Sequence, residues 1–288
     1  MQFYSLALTA LTAAAVNAQT AVSGDVYNNI VRYSNFAAAA YANNCPKPPS
    51  GSTILKFFNG TATNTQAYLF RDTAAKELVL AFRGTSTPLD LDTDFLFTLT
   101  QLTLPGTSCS GCQVHQGFQD AYASIANDVS NTVTSALSSN SGYKLTVTGH
   151  SLGGGLASLA STSLAAQGKQ LSVYTFGEPR NGNPAFSTYI QRLIPTSRYF
   201  RVTHQNDGVP QIPPQLLGFQ HHGTEYWESA ANGQVSQSNT YICSGQEPTG
   251  CSQAQDFGDN PINGAHIQYS NLLLASSLYN VGCGYKFP

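Results

Sequence analysis

The stretch from Tyr143 to Ala166 constrains this chain more than any other. It contains Gly149-His150-Ser151-Leu152-Gly153, a G-x-S-x-G pentapeptide. Before it, Leu145, Val147 and Gly149 alternate with Lys144, Thr146 and Thr148, the period of a short buried strand. After it, Leu156, Leu159, Ala160 and Leu164 recur at helical spacing among small residues. The serine therefore falls on a sharp strand-to-helix turn. Such a turn needs positive φ or a close backbone approach, and glycine tolerates both. It lifts the Ser151 hydroxyl clear of the sheet and sets the first amides of the helix beside it. A Gly-rich turn with an idle serine would look similar in isolation. The strand before, the helix after and suitable partners downstream favour a nucleophile.

The rest of the chain fits an α/β plan. Gly24 to Ala42 reads as a helix ended by Pro46, Pro48 and Pro49. Ile54 to Phe58, Gln66 to Arg71 and Leu78 to Phe82 read as strands with Asn59-Gly60 and Asp72 to Lys76 as turns. Ser86 to Pro105 is ambiguous, rich in Leu and Phe but studded with Asp90, Asp92 and Asp94. Gly117 to Leu137 reads as a long helix. Strands follow at Leu171 to Phe176, Tyr199 to Thr203, Gly223 to Trp227 and Thr240 to Cys243, with a helix at Pro184 to Leu193. Gln268 to Leu278 is expected to close the chain as a helix. Alternating helices and strands, with no repeat or linker, predict one α/β domain around a largely parallel central sheet.

A serine hydroxyl needs a base, and the base needs an orienting acid. In a strand–turn–helix hydrolase the chain order is Ser, then Asp or Glu, then His. Active-site groups come from loops at the carboxyl ends of strands. His266 lies in such a loop, after Asn260-Pro261-Ile262-Asn263-Gly264-Ala265. His221 and His222 begin a strand and read as a surface or structural pair. His204 ends a strand and packs there, and His150 points away from the turn serine by alternation. Two acids directly follow strands. Asp207, in Asn206-Asp207-Gly208, is favoured; Glu178 reads as a structural carboxylate, with Arg180 as its candidate partner. An oxyanion needs preorganised N–H donors. The Leu152 amide is one candidate, and the Thr85 amide, after Arg83-Gly84, is the other.

Composition narrows the setting. Net charge is −2 and the 13 Lys and Arg are scattered, which speaks against nucleic acid as a partner. Met1 to Ala18 resembles a secretory signal, with Val16-Asn17-Ala18 as a small-residue cleavage site, leaving residues 19–288 as the expected mature domain. That segment is short for a membrane span, and none longer exists. Six cysteines agree with an oxidising compartment, but their number allows more pairings than the sequence can choose between. Cys109-Ser110-Gly111-Cys112 lacks a second C-x-x-C or H-x-x-H for a metal and reads as a small structural loop. Cys243 and Cys251 could close another, and Cys45 with Cys283 could staple the two ends. Asn59-Gly60-Thr61 is the single N-glycosylation sequon.

Taken together, Phe82-Arg83-Gly84-Thr85, Gly149 to Gly154, Tyr174 to Arg180, Phe200 to Asp207, Glu225-Tyr226-Trp227 and Ala265-His266 resemble the secreted class 3 lipases of filamentous fungi. That family also contains the type-A feruloyl esterases. The resemblance spans almost the whole expected mature chain. It implies an α/β-hydrolase fold with a lid after Thr85, a Ser151–Asp207–His266 triad, and Thr85 and Leu152 as oxyanion donors. It also implies the pairs Cys45–Cys283, Cys109–Cys112 and Cys243–Cys251. Ser86 to Pro105 lacks the Trp that many lipases carry in the lid. Phe95 stands where the feruloyl esterases have a Tyr. The expected activity is carboxylic-ester hydrolysis without a cofactor, by a monomer acting on acylglycerols at an oil–water interface. The alternative is release of hydroxycinnamates from plant cell wall, and a further one is a catalytically dead lipid- or wall-binding protein.

Overall fold

A computed structural model describes residues 19–85, 97–274 and 282–284. Strands β1 (Thr20–Ala21), β2 (Thr53–Gly60), β3 (Thr65–Asp72), β4 (Glu77–Phe82), β7 (Lys144–His150), β8 (Ser172–Phe176), β9 (Tyr199–His204), β10 (Glu225–Glu228) and β11 (Thr240–Cys243) form one sheet. Its order is β1-β11-β10-β9-β8-β7-β4-β3-β2. The central run from β4 through β10 is parallel. Both flanks add strands antiparallel, β3 and β2 on one side and β11 and β1 on the other.

The central strands are buried on both faces, and β4 accordingly reads as an apolar run from Leu78 to Phe82 rather than as alternation. Leu78, Leu80 and Phe82 of β4 pack into one core with Leu145, Val147 and Val173. Helices α2 (Gln116–Ser139) and α3 (Leu152–Ala166) cover that side, burying Phe118, Tyr122, Val129, Leu156 and Leu159. Val79, Ala81, Tyr174 and Phe176 point to the other core, closed by Ile30 and Phe36 of α1 (Gly24–Ala39). Ser23 caps α1 by accepting from the Val26 amide. Asn183 does the same for α4 (Pro184–Leu193), with Pro184 at its first turn.

Two expectations change. Part of the ambiguous lid segment is structured: β5 (Leu99–Gln101) pairs antiparallel with β6 (Gln113–His115). Leu102 and Leu104 belong to the core, whereas Leu89, Leu91, Phe95 and Leu96 lie outside the described residues. The expected helix from Gln268 to Leu278 is instead a tight hairpin, β12 (Gln268–Tyr269) against β13 (Leu272–Leu273). Ser270 (φ 51°) and Asn271 (φ 62°) turn the chain. The Glu228 carboxylate fixes that turn by accepting from the Ser270 amide and hydroxyl at 2.8 and 2.7 Å. Tertiary hydrogen bonds have overridden helical periodicity there; residues 275–281 lie outside the described set.

Candidate active site

Ser151 stands between β7 and α3 with φ 59° and ψ −131°. This is a region that residues with a Cβ avoid, at a cost on the order of 1–3 kcal/mol. The surroundings hold it there. The Ser151 amide donates to the Phe176 carbonyl at 2.9 Å, and the Ser151 carbonyl accepts from Gly154 and Gly155. The flanking glycines serve close approach. A Cβ on Gly149 would lie 2.0 Å from the Gly153 oxygen, and one on Gly153 would lie 2.4 Å from the Phe82 oxygen. The positive φ falls on the serine, and the glycines let β4, β7 and α3 close around it.

The structure brings Ser151, His266 and Asp207 together. The Ser151 Oγ is 2.9 Å from His266 Nε2. His266 Nδ1 is 3.0 Å from each Asp207 carboxylate oxygen. A carboxylate only accepts, so Nδ1 carries the proton and Nε2 is free to accept from the serine hydroxyl. All three side chains are buried. Asp207 also accepts from the Val209 amide at 2.9 Å and from the Tyr269 hydroxyl. Burial, reinforced by the Asp207 charge, pushes the Tyr269 phenol well up, so it stays protonated as a donor. Gly177, at φ +56°, lies beneath: a Cβ there would be 2.8 Å from Asp207 Oδ2 and 3.1 Å from His266 Cε1.

His150 is structural, as alternation implies, and it acts on the site from behind. Its Nε2 lies 2.8 Å from the His266 carbonyl and its Nδ1 lies 2.8 Å from the Tyr41 hydroxyl. Burial first, then the neighbouring His266, holds its pKa well below the ordinary range, so the ring is neutral. A carbonyl only accepts, so Nε2 donates and Nδ1 accepts from Tyr41. Tyr41 and His150 thereby clamp the backbone that carries His266. Sequence reading missed Tyr41, Tyr269 and this use of His150. None stands in a motif whose chemistry names it.

Glu178, the acid not favoured, is fully buried away from His266. It accepts from His222 Nε2 at 2.9 Å, Asn181 Nδ2 at 2.6 Å, Thr175 at 2.6 Å and Tyr199 at 3.0 Å. His222 is thus a buried structural residue, as is His221, and neither is at the surface. The proposed Arg180 partner is replaced: Arg180 pairs with Glu247 at 2.8 Å. Burial alone would raise the Glu178 pKa. His222, Thr175 and Arg201 outweigh it and bring the pKa below the ordinary 4.5. Glu228 goes the other way, raised by burial with the Ser270 bonds only partly offsetting it.

The signs give a paired prediction. A depressed carboxyl contributes stability above its unfolded pKa that is lost as pH falls through the folded value; a raised one lowers stability as pH climbs from the unfolded value toward the folded one. Urea unfolding from about pH 3 to 7 should therefore show a shallower acid limb in Glu178→Gln. Glu228→Gln should relieve a loss on the neutral side. Equal slopes in wild type and Glu178→Gln below pH 4.5 would contradict the first sign.

Thr85 leaves β4 beside the serine turn, because Phe82 pairs with Gly149 in the parallel ladder. Gly84 is wedged there; a Cβ would lie 2.1 Å from the Tyr41 hydroxyl and 2.7 Å from the His150 oxygen. The Thr85 Oγ1 is buried and has no hydrogen-bond partner among the described residues. Leu152 is the first residue of α3, where a helix amide has no intrahelical acceptor. Arg83 points away, to Gln66 Oε1 at 2.7 Å and the Asn64 carbonyl at 2.7 Å. The three disulfides are Cys45–Cys283, Cys109–Cys112 and Cys243–Cys251, and Asn59 is exposed on β2. Asp90, Asp92 and Asp94, the acids of the segment from Ser86 to Pro105, lie outside the described residues. Asp120 is exposed on α2, and Asp128 pairs with Lys56 at 3.2 Å.

The family model for class 3 lipases matches residues 79–217, which contain the serine turn and Asp207. Secreted mono- and diacylglycerol lipase 1 of Fusarium solani is 37% identical over 187 residues, 65% of this chain and 54% of its own length. A lipase of Rhizopus niveus is 33% identical over 241 residues, 77% of this chain and 58% of its own. The chain spans between half and two thirds of the curated relatives it matches. Among solved structures, the lipase of Rhizopus microsporus var. chinensis superposes with a TM-score of 0.79 at 29% identity, covering 90% of this chain and 92% of that one. A triacylglycerol lipase described as having a serine protease triad for its catalytic centre gives 0.78 at 28% identity, covering 89% and 98%.

Proposed function

The chain belongs to the class 3 lipase family, and we propose that it is a secreted lipase that cleaves acylglycerol esters through an acyl-enzyme. The single observation that carries this reading is the Ser151 Oγ–His266 Nε2 distance of 2.9 Å, with Nδ1 held on Asp207. In the proposed cycle, His266 takes the Ser151 proton as Oγ attacks the ester carbonyl. The oxyanion is held by the Thr85 and Leu152 amides, and the Thr85 hydroxyl, which has no hydrogen-bond partner among the described residues, is a further donor. His266 then returns the proton to the leaving alcohol, and the acyl-serine remains. Water, deprotonated by His266, releases the acid and restores the hydroxyl. Tyr269 and the Val209 amide keep Asp207 aimed at Nδ1 throughout.

The disulfides and relatives named as secreted support an extracellular site of action. Residues 1–18 are proposed as the signal peptide, Asn59 as a glycan acceptor and residues 19–288 as a single mature domain.

The acylglycerol reading is supported by the named relatives, which are lipases. A feruloyl site gains selectivity from hydrogen bonds to the phenol, and Phe95 has no hydroxyl to offer. Tributyrin and triolein should be hydrolysed faster than methyl ferulate. The rate on tributyrin should climb above its solubility limit. A plain hyperbola through that limit, with a higher kcat/KM on methyl ferulate, would transfer the protein to the esterases.

A further inference from the structure

From Val209 to Gln220 the chain carries no Asp, Glu, Lys or Arg. This run begins two residues after Asp207 and leaves the sheet at the carboxyl end of β9. At its tip Leu216 is 94% exposed and Leu217 49% exposed. Scattered surface leucines are ordinary, but this pair is held out by a built support. Arg180, itself buried, donates from its amide to the Ile212 carbonyl at 2.9 Å. Its guanidinium donates to the Pro213 carbonyl at 3.0 Å and to the Gln211 carbonyl. Glu247 holds that guanidinium in turn, at 2.8 and 2.9 Å. Beyond the tip, Gly218 turns the chain at φ 85°, Phe219 is buried, and the Gln220 amide donates to the Gly182 carbonyl at 2.8 Å. The loop is fixed at both ends while Leu216 and Leu217 at its tip face water.

Resting on the lipase reading above, we propose that Leu216 and Leu217 form a fixed anchor that inserts into the surface of a neutral lipid aggregate and holds the Ser151 site against it. Two facts select a lipid surface. The tip lacks charge over the whole run, so it offers nothing to an anionic or cationic partner, whereas apolar insertion needs no counter-charge. It is also continuous with the site. It springs from the Asp207 loop, and a Cβ on Gly218 would lie 3.5 Å from Leu99 Cδ1, at the limb returning from the segment after Thr85. The exposed Ile54, Leu55 and Phe57 lie on the outer edge strand β2 and provide an internal control.

The test uses the full chain. In a Ser151→Ala background, co-flotation with a triolein emulsion stabilised by phosphatidylcholine reads binding without turnover. Adding Leu216→Ser and Leu217→Ser should weaken binding at least about tenfold, while adding Leu55→Ser should leave it unchanged. With Ser151 intact, the double leucine variant should hydrolyse dissolved p-nitrophenyl butyrate at the wild-type rate and lose about tenfold on emulsified triolein. Undiminished flotation of the double variant overturns the proposal. So does a wild-type dimer in sedimentation velocity that the double variant dissolves, because the pair would then be a contact between copies. If wild type cleaves no ester but floats through its leucines, the anchor stands and the lipase reading falls. If wild type cleaves dissolved ester but does not float, the esterase stands and the anchor falls.

Discussion

Ser151→Ala is expected to lower kcat on p-nitrophenyl butyrate by about 10⁴-fold or more, with His266→Ala and Asp207→Ala of comparable order. The serine supplies the bond-forming oxygen, so its loss leaves only binding and oxyanion contacts. His266 is the base within reach of that oxygen, at 2.9 Å. Because the three act as a unit, Ser151→Ala/His266→Ala should be barely worse than Ser151→Ala alone. Asp207→Asn tests orientation more cleanly than Ala: the amide keeps the shape but loses the negative charge that favours a protonated Nδ1. Tyr269→Phe should cost far less than any triad member, since the Val209 amide still holds Asp207 Oδ1 at 2.9 Å. Glu178→Gln should retain most activity, because Glu178 is bound to His222, Thr175, Asn181 and Tyr199 and to no triad member. An inert Glu178→Gln beside an active Asp207→Ala would reverse the assignment of the acid.

What the chain reveals before folding follows a physical division. Ser151 was legible because its constraints are local: a strand period, a helix period and glycines within two residues of the serine. Asp207 and His266 were legible because each follows an element whose end can be read, and chain order assigned their roles. Tyr269 was not. It meets Asp207 across 62 positions, and its neighbours Leu272 and Leu273 carry a pattern that reads as helical. The turn that seats it depends on Glu228, 42 positions away from Ser270. Arg180 shows the same limit. Its nearest acid in sequence is Glu178, yet its partner is Glu247, brought in by a loop 67 positions on. Contacts made by periodic elements are written into those elements, whereas contacts between loops depend on where the sheet happens to deliver them.

Replacing Cys45 and Cys283 together by Ser should lower unfolding free energy by about 5 kcal/mol, because the bridge closes so long a loop. Its ends are 238 positions apart, and chain-entropy cost grows with the logarithm of loop length. The other two bridges span 3 and 8 positions, so by the same reasoning their removal costs less. Packing adds to the effect. Cys45 is 5% exposed and Cys283 is fully buried, in the core that includes Phe36 and Ala39 of α1. Gly282 beside it leaves no room: at φ +85°, a Cβ would lie 2.4 Å from the Asn35 carbonyl and 2.8 Å from the Ala39 amide. The C-terminal end is therefore seated on α1 as well as tied to it, and two buried hydroxyls would add a desolvation penalty. Cys45→Ala/Cys283→Ala separates the two contributions, since it breaks the tie without burying a hydroxyl. Both double variants should fold under native conditions and unfold at lower urea, with the Ala form the more stable. Because α1 packs on β4, β7 and β8 opposite the helix that carries Leu152, specific activity of the folded fraction should be nearly unchanged. Unfolding midpoints that match wild type in both variants would mean that packing alone secures the C-terminal end.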